Sequence, residues 1–262
     1  MSISSRICDS IFAEAYWQEM NAMVSSKDQY EKAAKLLVRL CEEKYGARLS
    51  SIILYGSSAM GDPVFGFSDL DVMLVMENYA SPQDYTILRS IKETIRQETG
   101  VEIHEAWVFG RSLLLSVPTI WENLSARTIY GEQIIEEAPL LDLHKRTSIK
   151  MMHDLRVRWE SKRSNLDPVE RAKMALGQTL RFAQNALLYE GVVKLRKEEI
   201  VDAFEENFKG FRLRRFPRDA YESVLEWDKL KNDRDKLNQV VTKFEEFYDN
   251  LYWHIALRTL LE

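Results

Sequence analysis

Residues 52–76, IILYGSSAMGDPVFGFSDLDVMLVM, restrict the possible folds more than any other stretch of the chain. The apolar runs at 52–55 and 70–76 are too short for buried helices and rich in strand-forming side chains, so they read as β-strands. A third run of the same kind, VEIHEAWVF, spans 101–109. Between the second and third, Ser81, Pro82 and Asp84 fit the cap, first and third positions of a helix that ends at Gly100. Upstream, Tyr30, Ala33, Leu37, Leu40 and Cys41 recur at helical spacing and stop at Gly46, so a helix leads into the first strand. This alternation predicts an α/β unit.

From about residue 140 the strand signal ends and long amphipathic stretches take over. Asp167-Pro168-Val169-Glu170 reads as a helix start, and Ala172, Leu176, Ala183 and Leu187 continue one apolar stripe. Near the C-terminus Leu237, Val240, Val241, Phe244, Phe247, Tyr248, Leu251, Tyr252 and Ile255 recur every three or four residues, which predicts one wide buried face. The expected architecture is α+β: residues 1–135 form a mixed β-sheet domain with flanking and N-terminal helices, and residues 136–262 an all-α helical bundle. At 262 residues and 45% hydrophobic, either half can bury a core without staples.

Cys8 and Cys41 have no Cys or His at metal-site spacing and read as buried thiols in a reducing compartment. The N-terminal residues meet charges too soon for a secretion signal, and no stretch approaches the ~20 apolar residues of a membrane span, so the expected location is the cytoplasm, away from membranes. With 36 Lys plus Arg against 41 Asp plus Glu, the net charge of −5 does not favour a long polyanion such as duplex nucleic acid. An anionic ligand must be held locally, and a nucleotide that brings its own Mg²⁺ suits this balance.

The acids Asp69 and Asp71 stand two residues apart, so strand alternation puts both carboxylates on one face. Like charges this close repel unless a cation lies between them, and oxygen ligands at this spacing suit one or two Mg²⁺ ions. The Gly56-Ser57 turn adds a glycine that allows close backbone approach, with N–H groups and a hydroxyl able to hold phosphate oxygens.

Gly56-Ser57 followed, after eleven intervening residues, by Asp69-Leu70-Asp71 in a second strand resembles the nucleotidyltransferase superfamily that includes polymerase beta, the aminoglycoside nucleotidyltransferases and small prokaryotic relatives. The resemblance covers residues 49–131, closing on Ala126-Arg127-Thr128-Ile129-Tyr130-Gly131. It implies that Gly56, Ser57 and Ser68 bind the triphosphate, that Asp69 and Asp71 hold Mg²⁺, and that a third carboxylate on a later strand completes the metal site and acts as general base. Glu102, between apolar Val101 and Ile103, is the candidate for that acid. Glu105 replaces it if a bulge or another register intervenes. The implied activity is transfer of a nucleoside monophosphate from Mg-NTP, with ATP expected, to a small hydroxyl-bearing acceptor, releasing pyrophosphate. The alternative is a catalytically weak nucleotide-binding or antitoxin-like module acting through a partner protein.

Other features carry two readings each. Arg181 either lies on a helix surface or meets the triphosphate. Arg212, Arg214, Arg215 and Arg218, interleaved with Phe208, Phe211 and Phe216, form either a solvated helix connection or a surface for a nucleotide or RNA. Glu198, Glu199, Asp202, Glu205 and Glu206 give either a solvated helix face or a wall for a cationic acceptor. His104, His144, His153 and His254 match no zinc-protease motif and read as structural or surface residues.

Overall fold

Apolar spacing before Gly46 builds α1 (27–45), and a 3₁₀ turn (Gly46–Arg48) delivers the chain into β1 (Leu49–Tyr55). This computed structural model describes residues 27–103, 106–110, 124–134 and 144–261. Cys8, His104 and Glu105 lie outside the described residues, as does the side chain of His144. After β1 come α2 (Gly56–Met60), β2 (Asp71–Met76), α3 (Pro82–Thr99), β3 (Ala106–Gly110) and β4 (Arg127–Gly131).

The four strands form one mixed sheet in the order β3-β2-β1-β4. β1 runs antiparallel to β2 and β4, whereas β2 and β3 are parallel. Side chains alternate across β1 and β2, and both faces are covered. On one face Ile52, Leu54, Val72 and Leu74 pack with Ala33, Leu37 and Cys41 of α1 and Leu88, Ile91 and Ile95 of α3. On the other, Ile53, Tyr55, Met73 and Val75 cluster with Phe109, Ala126 and Ile134. Full burial of each such aliphatic side chain stabilises by about 1.5–3 kcal/mol, so register is strongly specified here.

Two strand boundaries differ from expectation. β2 begins at Asp71, so Asp69 stands in the approach to the strand. β3 begins at Ala106, and residues 101–103 lie outside it. One residue separates Leu70 from Val72, but two separate Ile103 from Ala106, so the regular ladder does not extend from Ala106 back to Glu102.

The described residues divide into two compact units at the 138/139 boundary. The second is all helix: α4 (His144–Lys162), α5 (Pro168–Tyr189), α6 (Lys197–Asn207), α7 (Phe216–Leu225), α8 (Trp227–Leu230) and α9 (Arg234–Leu261). Asp167 caps α5 by accepting from the Val169 and Glu170 backbone N–H groups at 2.8 and 2.9 Å. The apolar character of α5 wraps most of its circumference, and it touches α4, α6, α7 and α9 as the central helix of the unit. Aromatic rings fill the space around it, with Trp159 edge-on to Phe244 at 4.8 Å between centroids and Phe204 stacked on Phe208 at 4.4 Å. No described helix is long and apolar enough to cross a membrane.

Candidate active site

The site is built where β1 ends. Tyr55, its last residue, pairs with Asp71, the first of β2, and the chain then turns at Gly56 with φ +67° into the short helix α2. A Cβ at Gly56 would stand 2.7 Å from Oδ2 of Asp71, so the carboxylate lies directly against the glycine backbone. The Gly56 N–H donates to the Ser125 hydroxyl at 3.0 Å. The Ser58 hydroxyl donates to the Asp69 carbonyl at 3.2 Å, which ties the Gly-Ser turn to the acid-bearing segment. Gly56, Ser57, Asp69 and Asp71 are all half-buried.

Ser68 braces the loop before Asp69. Its hydroxyl accepts from the Val64 N–H at 2.9 Å, while its own N–H donates to the Val64 carbonyl at 2.7 Å. Tyr30 of α1 reaches the same loop from the core and donates its phenol proton to the Ser68 carbonyl, with the Val64 carbonyl at 3.4 Å. Burial raises the Tyr30 pKa first, and the charges of Asp69, Asp71 and Glu102 raise it further. The phenol therefore stays a protonated donor, and it senses all three candidate carboxylates. Sequence reasoning placed Tyr30 in the core and missed its hydroxyl, because helical spacing reports a buried face and not what a phenol tip touches.

The Leu70 N–H donates to the Glu102 carbonyl at 2.8 Å, so the Glu102 backbone runs beside the Asp69-Leu70-Asp71 segment. Val101 and Ile103 are buried and Glu102 is exposed, the alternation the sequence predicted, although the segment is outside β3. Among the described residues no three Asp, Glu, His or Cys side chains form a preassembled metal site. Asp69 and Asp71 nevertheless fit Mg²⁺, which is commonly bound through one or two carboxylates with phosphate oxygens and water as the other ligands.

Arg181 is exposed on α5. Two acids of α6 pair with the arginine-rich segment after it, Arg218 binding Asp202 at 2.6 Å and Glu205 at 3.0 Å, while Arg212 pairs with Glu246 of α9. Arg214 donates to the Lys209 carbonyl at 2.7 Å. Phe208, Phe211 and Phe216 are core residues, so they offer no faces for stacking bases. Here the sequence pattern of alternating Arg and Phe reflects helix packing, with the rings inside, Arg212 and Arg218 on neighbouring carboxylates and Arg214 on a backbone carbonyl.

No family model matches the chain, and neither does any curated protein. A crystal structure of spectinomycin adenyltransferase AAD(9) from Enterococcus faecialis, with ATP and spectinomycin, matches over 82% of this chain and 99% of that one, at a TM-score of 0.53 and 13% identity. The fold is a nucleotidyltransferase fold. The matched share exceeds either unit alone, so the likeness takes in residues of both the sheet and the helical bundle. At this identity the likeness carries the fold and assigns no residue a role.

Proposed function

We propose that the chain transfers a nucleoside monophosphate from a nucleoside triphosphate to the hydroxyl of a small acceptor. The observation that carries this reading is the contact of the Asp71 carboxylate with the Gly56 backbone, which sets an oxygen ligand for a cation beside a turn suited to phosphate. The adenyltransferase of like fold was solved with ATP, so ATP is the nucleotide to test first.

In this reading Gly56 lets the triphosphate approach the backbone, and the Ser57 hydroxyl and the neighbouring loop at Ser68 orient it. Asp69 and Asp71 would hold Mg²⁺, which when bound neutralises charge developing on the phosphates. Glu102 takes the proton of the acceptor hydroxyl. The acceptor oxygen forms a bond to the α-phosphorus, the bond from that phosphorus to the α–β bridging oxygen breaks, and its electron pair leaves with pyrophosphate.

The test is calorimetry of ATP binding with and without Mg²⁺, comparing wild type with Asp69→Asn/Asp71→Asn. Mg²⁺-dependent binding in wild type that is lost in the double variant is expected. Identical isotherms would remove the metal site and with it this function.

A further inference from the structure

The turn that carries Gly56 is held by a serine hydroxyl at each end. Carrying the antiparallel register of β1 and β4 two residues beyond the Leu54–Arg127 pair sets Gly56 opposite Ser125. The Gly56 N–H on that side, which a continuing ladder would give to a backbone carbonyl, donates to the Ser125 hydroxyl instead, at 3.0 Å. At the other end the Ser58 hydroxyl donates to the Asp69 carbonyl at 3.2 Å, in the segment that leads into β2. Ser58 and Ser125 are both buried. Ser57, between the two bonds, is half-buried, and its hydroxyl makes no hydrogen bond to any described residue.

Two of the three serine hydroxyls at this turn are therefore engaged with protein groups, and Ser57 is open to a ligand. The bond to Ser125 also takes the Gly56 N–H out of the donors open to phosphate. Glycine has no side chain to restrict its backbone, so the φ of +67° that brings Gly56 against Asp71 must be fixed by what its peptide group bonds to. Ser125 supplies that bond from the β4 side. Ser58 fixes the far end of the turn against the acid-bearing segment.

We infer that Ser125 and Ser58 are positioning residues for the triphosphate: acting through the Gly56 N–H and the Asp69 carbonyl, they set the Ser57 hydroxyl relative to the Asp69 and Asp71 carboxylates. The inference rests on the proposed nucleotidyl transfer and divides the roles within its phosphate turn. Gly56 provides room and no donor, Ser57 provides the donor, and the two buried serines provide the geometry.

Calorimetry of Mg-ATP binding tests it, on variants that melt in one cooperative transition. Ser125→Ala should weaken Mg-ATP binding about 5-fold or more, and Ser125→Thr, which keeps the hydroxyl, should bind within about 2-fold of wild type. Ser51→Ala is the structural comparison. The buried Ser51 hydroxyl also joins β1 to the chain around β4, donating to the Glu132 carbonyl at 2.6 Å. It stands about 17 Å from Gly56 along the strand, at about 3.4 Å per residue, so its loss should leave Mg-ATP affinity at the wild-type value. Because Ser125 acts through the turn that carries Ser57, Ser57→Ala/Ser125→Ala should lose less affinity than the product of the two single losses.

Wild-type affinity in Ser125→Ala overturns the positioning role and leaves nucleotidyl transfer standing. An equal loss in Ser51→Ala, a loss in Ser125→Thr as large as in Ser125→Ala, or single losses that multiply in the double variant do the same. A wild type that binds no Mg-ATP overturns nucleotidyl transfer itself, and this role with it. If Ser125→Ala does not fold, Ser58→Ala, at the other end of the turn, carries the same comparison with Ser51→Ala and the same cycle with Ser57→Ala.

Discussion

The carboxylate of Asp71 and the α-carbon of Gly56 are in such close approach that a single added methyl group would meet Oδ2 at 2.7 Å. The approach follows from strand register: Tyr55 pairs with Asp71, so the residue after Tyr55 must turn immediately beside that aspartate. Gly56 turns with φ +67°, a conformation that side chains oppose in its own right. Space and backbone conformation thus demand glycine for separate reasons.

Gly56→Ala accordingly carries two penalties. The left-handed backbone costs about 1–2 kcal/mol in a residue with a Cβ. The methyl group also displaces the Asp71 carboxylate. Thermal unfolding should register the first and Mg-ATP calorimetry the second, as at least a 10-fold loss of affinity. An unchanged isotherm would detach Asp71 from nucleotide binding.

Asp84 anchors the start of α3 from inside the protein. Its fully buried carboxylate accepts from the Ser81 N–H and hydroxyl, each at 2.7 Å, and from Arg48 at 2.8 Å. Burial raises its pKa, but the hydrogen bonds from Ser81 and Arg48 together outweigh burial and hold it below the ordinary carboxylate value. A depressed folded pKa means that this stabilisation is present above the unfolded value of about 3.9 and lost as pH falls through the folded value. Asp84→Asn should cost about 2 kcal/mol at neutral pH through the lost cap and ion pair. Urea denaturation at pH 7 and pH 3 should show that difference shrink in acid.

Short continuous apolar runs bounded by turn residues made the sheet legible in the sequence, because β1 and β2 are buried on both faces. The start of β3 was less legible. Val101, Glu102 and Ile103 alternate in burial as a strand would, yet the two-residue step to Ala106 against the one-residue step from Leu70 to Val72 breaks the ladder. Such an interruption depends on the partner strand, which a local pattern does not contain. Gly56, Ser57, Asp69 and Asp71 were readable because their chemistry sits within one short segment. The Tyr30 hydroxyl, the Ser125 bond to Gly56 and the pairing of Arg218 with Asp202 and Glu205 arise from residues distant in sequence or on separate helices.

That pairing makes its own forecast. Arg218→Met keeps the stem that packs beside α6 but removes the guanidinium that bridges Asp202 and Glu205. The expected destabilisation is about 1 kcal/mol or less, since Asp202 is well exposed to solvent. Mg-ATP affinity should stay at the wild-type value in calorimetry. A drop of 10-fold or more would return this segment to the nucleotide-binding surface.

Tyr30→Phe separates a purely structural core residue from one that positions the acids. The ring fills the same space, so packing is kept, but the Ser68 carbonyl loses its phenol donor at the residue immediately before Asp69. Leaving that acceptor without its donor should cost about 1 kcal/mol in urea denaturation. The loop from Val64 to Ser68 would still hold its internal hydrogen bonds, since those run between Val64 and Ser68 themselves. Its tether to α1 would be lost, and with it part of the fixed position of Asp69. Mn²⁺ binding followed by electron paramagnetic resonance, in the presence of ATP, should weaken several-fold in the variant. Because burial and the three nearby carboxylates keep the phenol protonated, the effect should be flat across pH 6–9. Equal stability loss with unaltered Mn²⁺ affinity would confine Tyr30 to packing, whereas weakened metal binding in a protein that melts within a few degrees of wild type identifies it as a residue that positions the carboxylates.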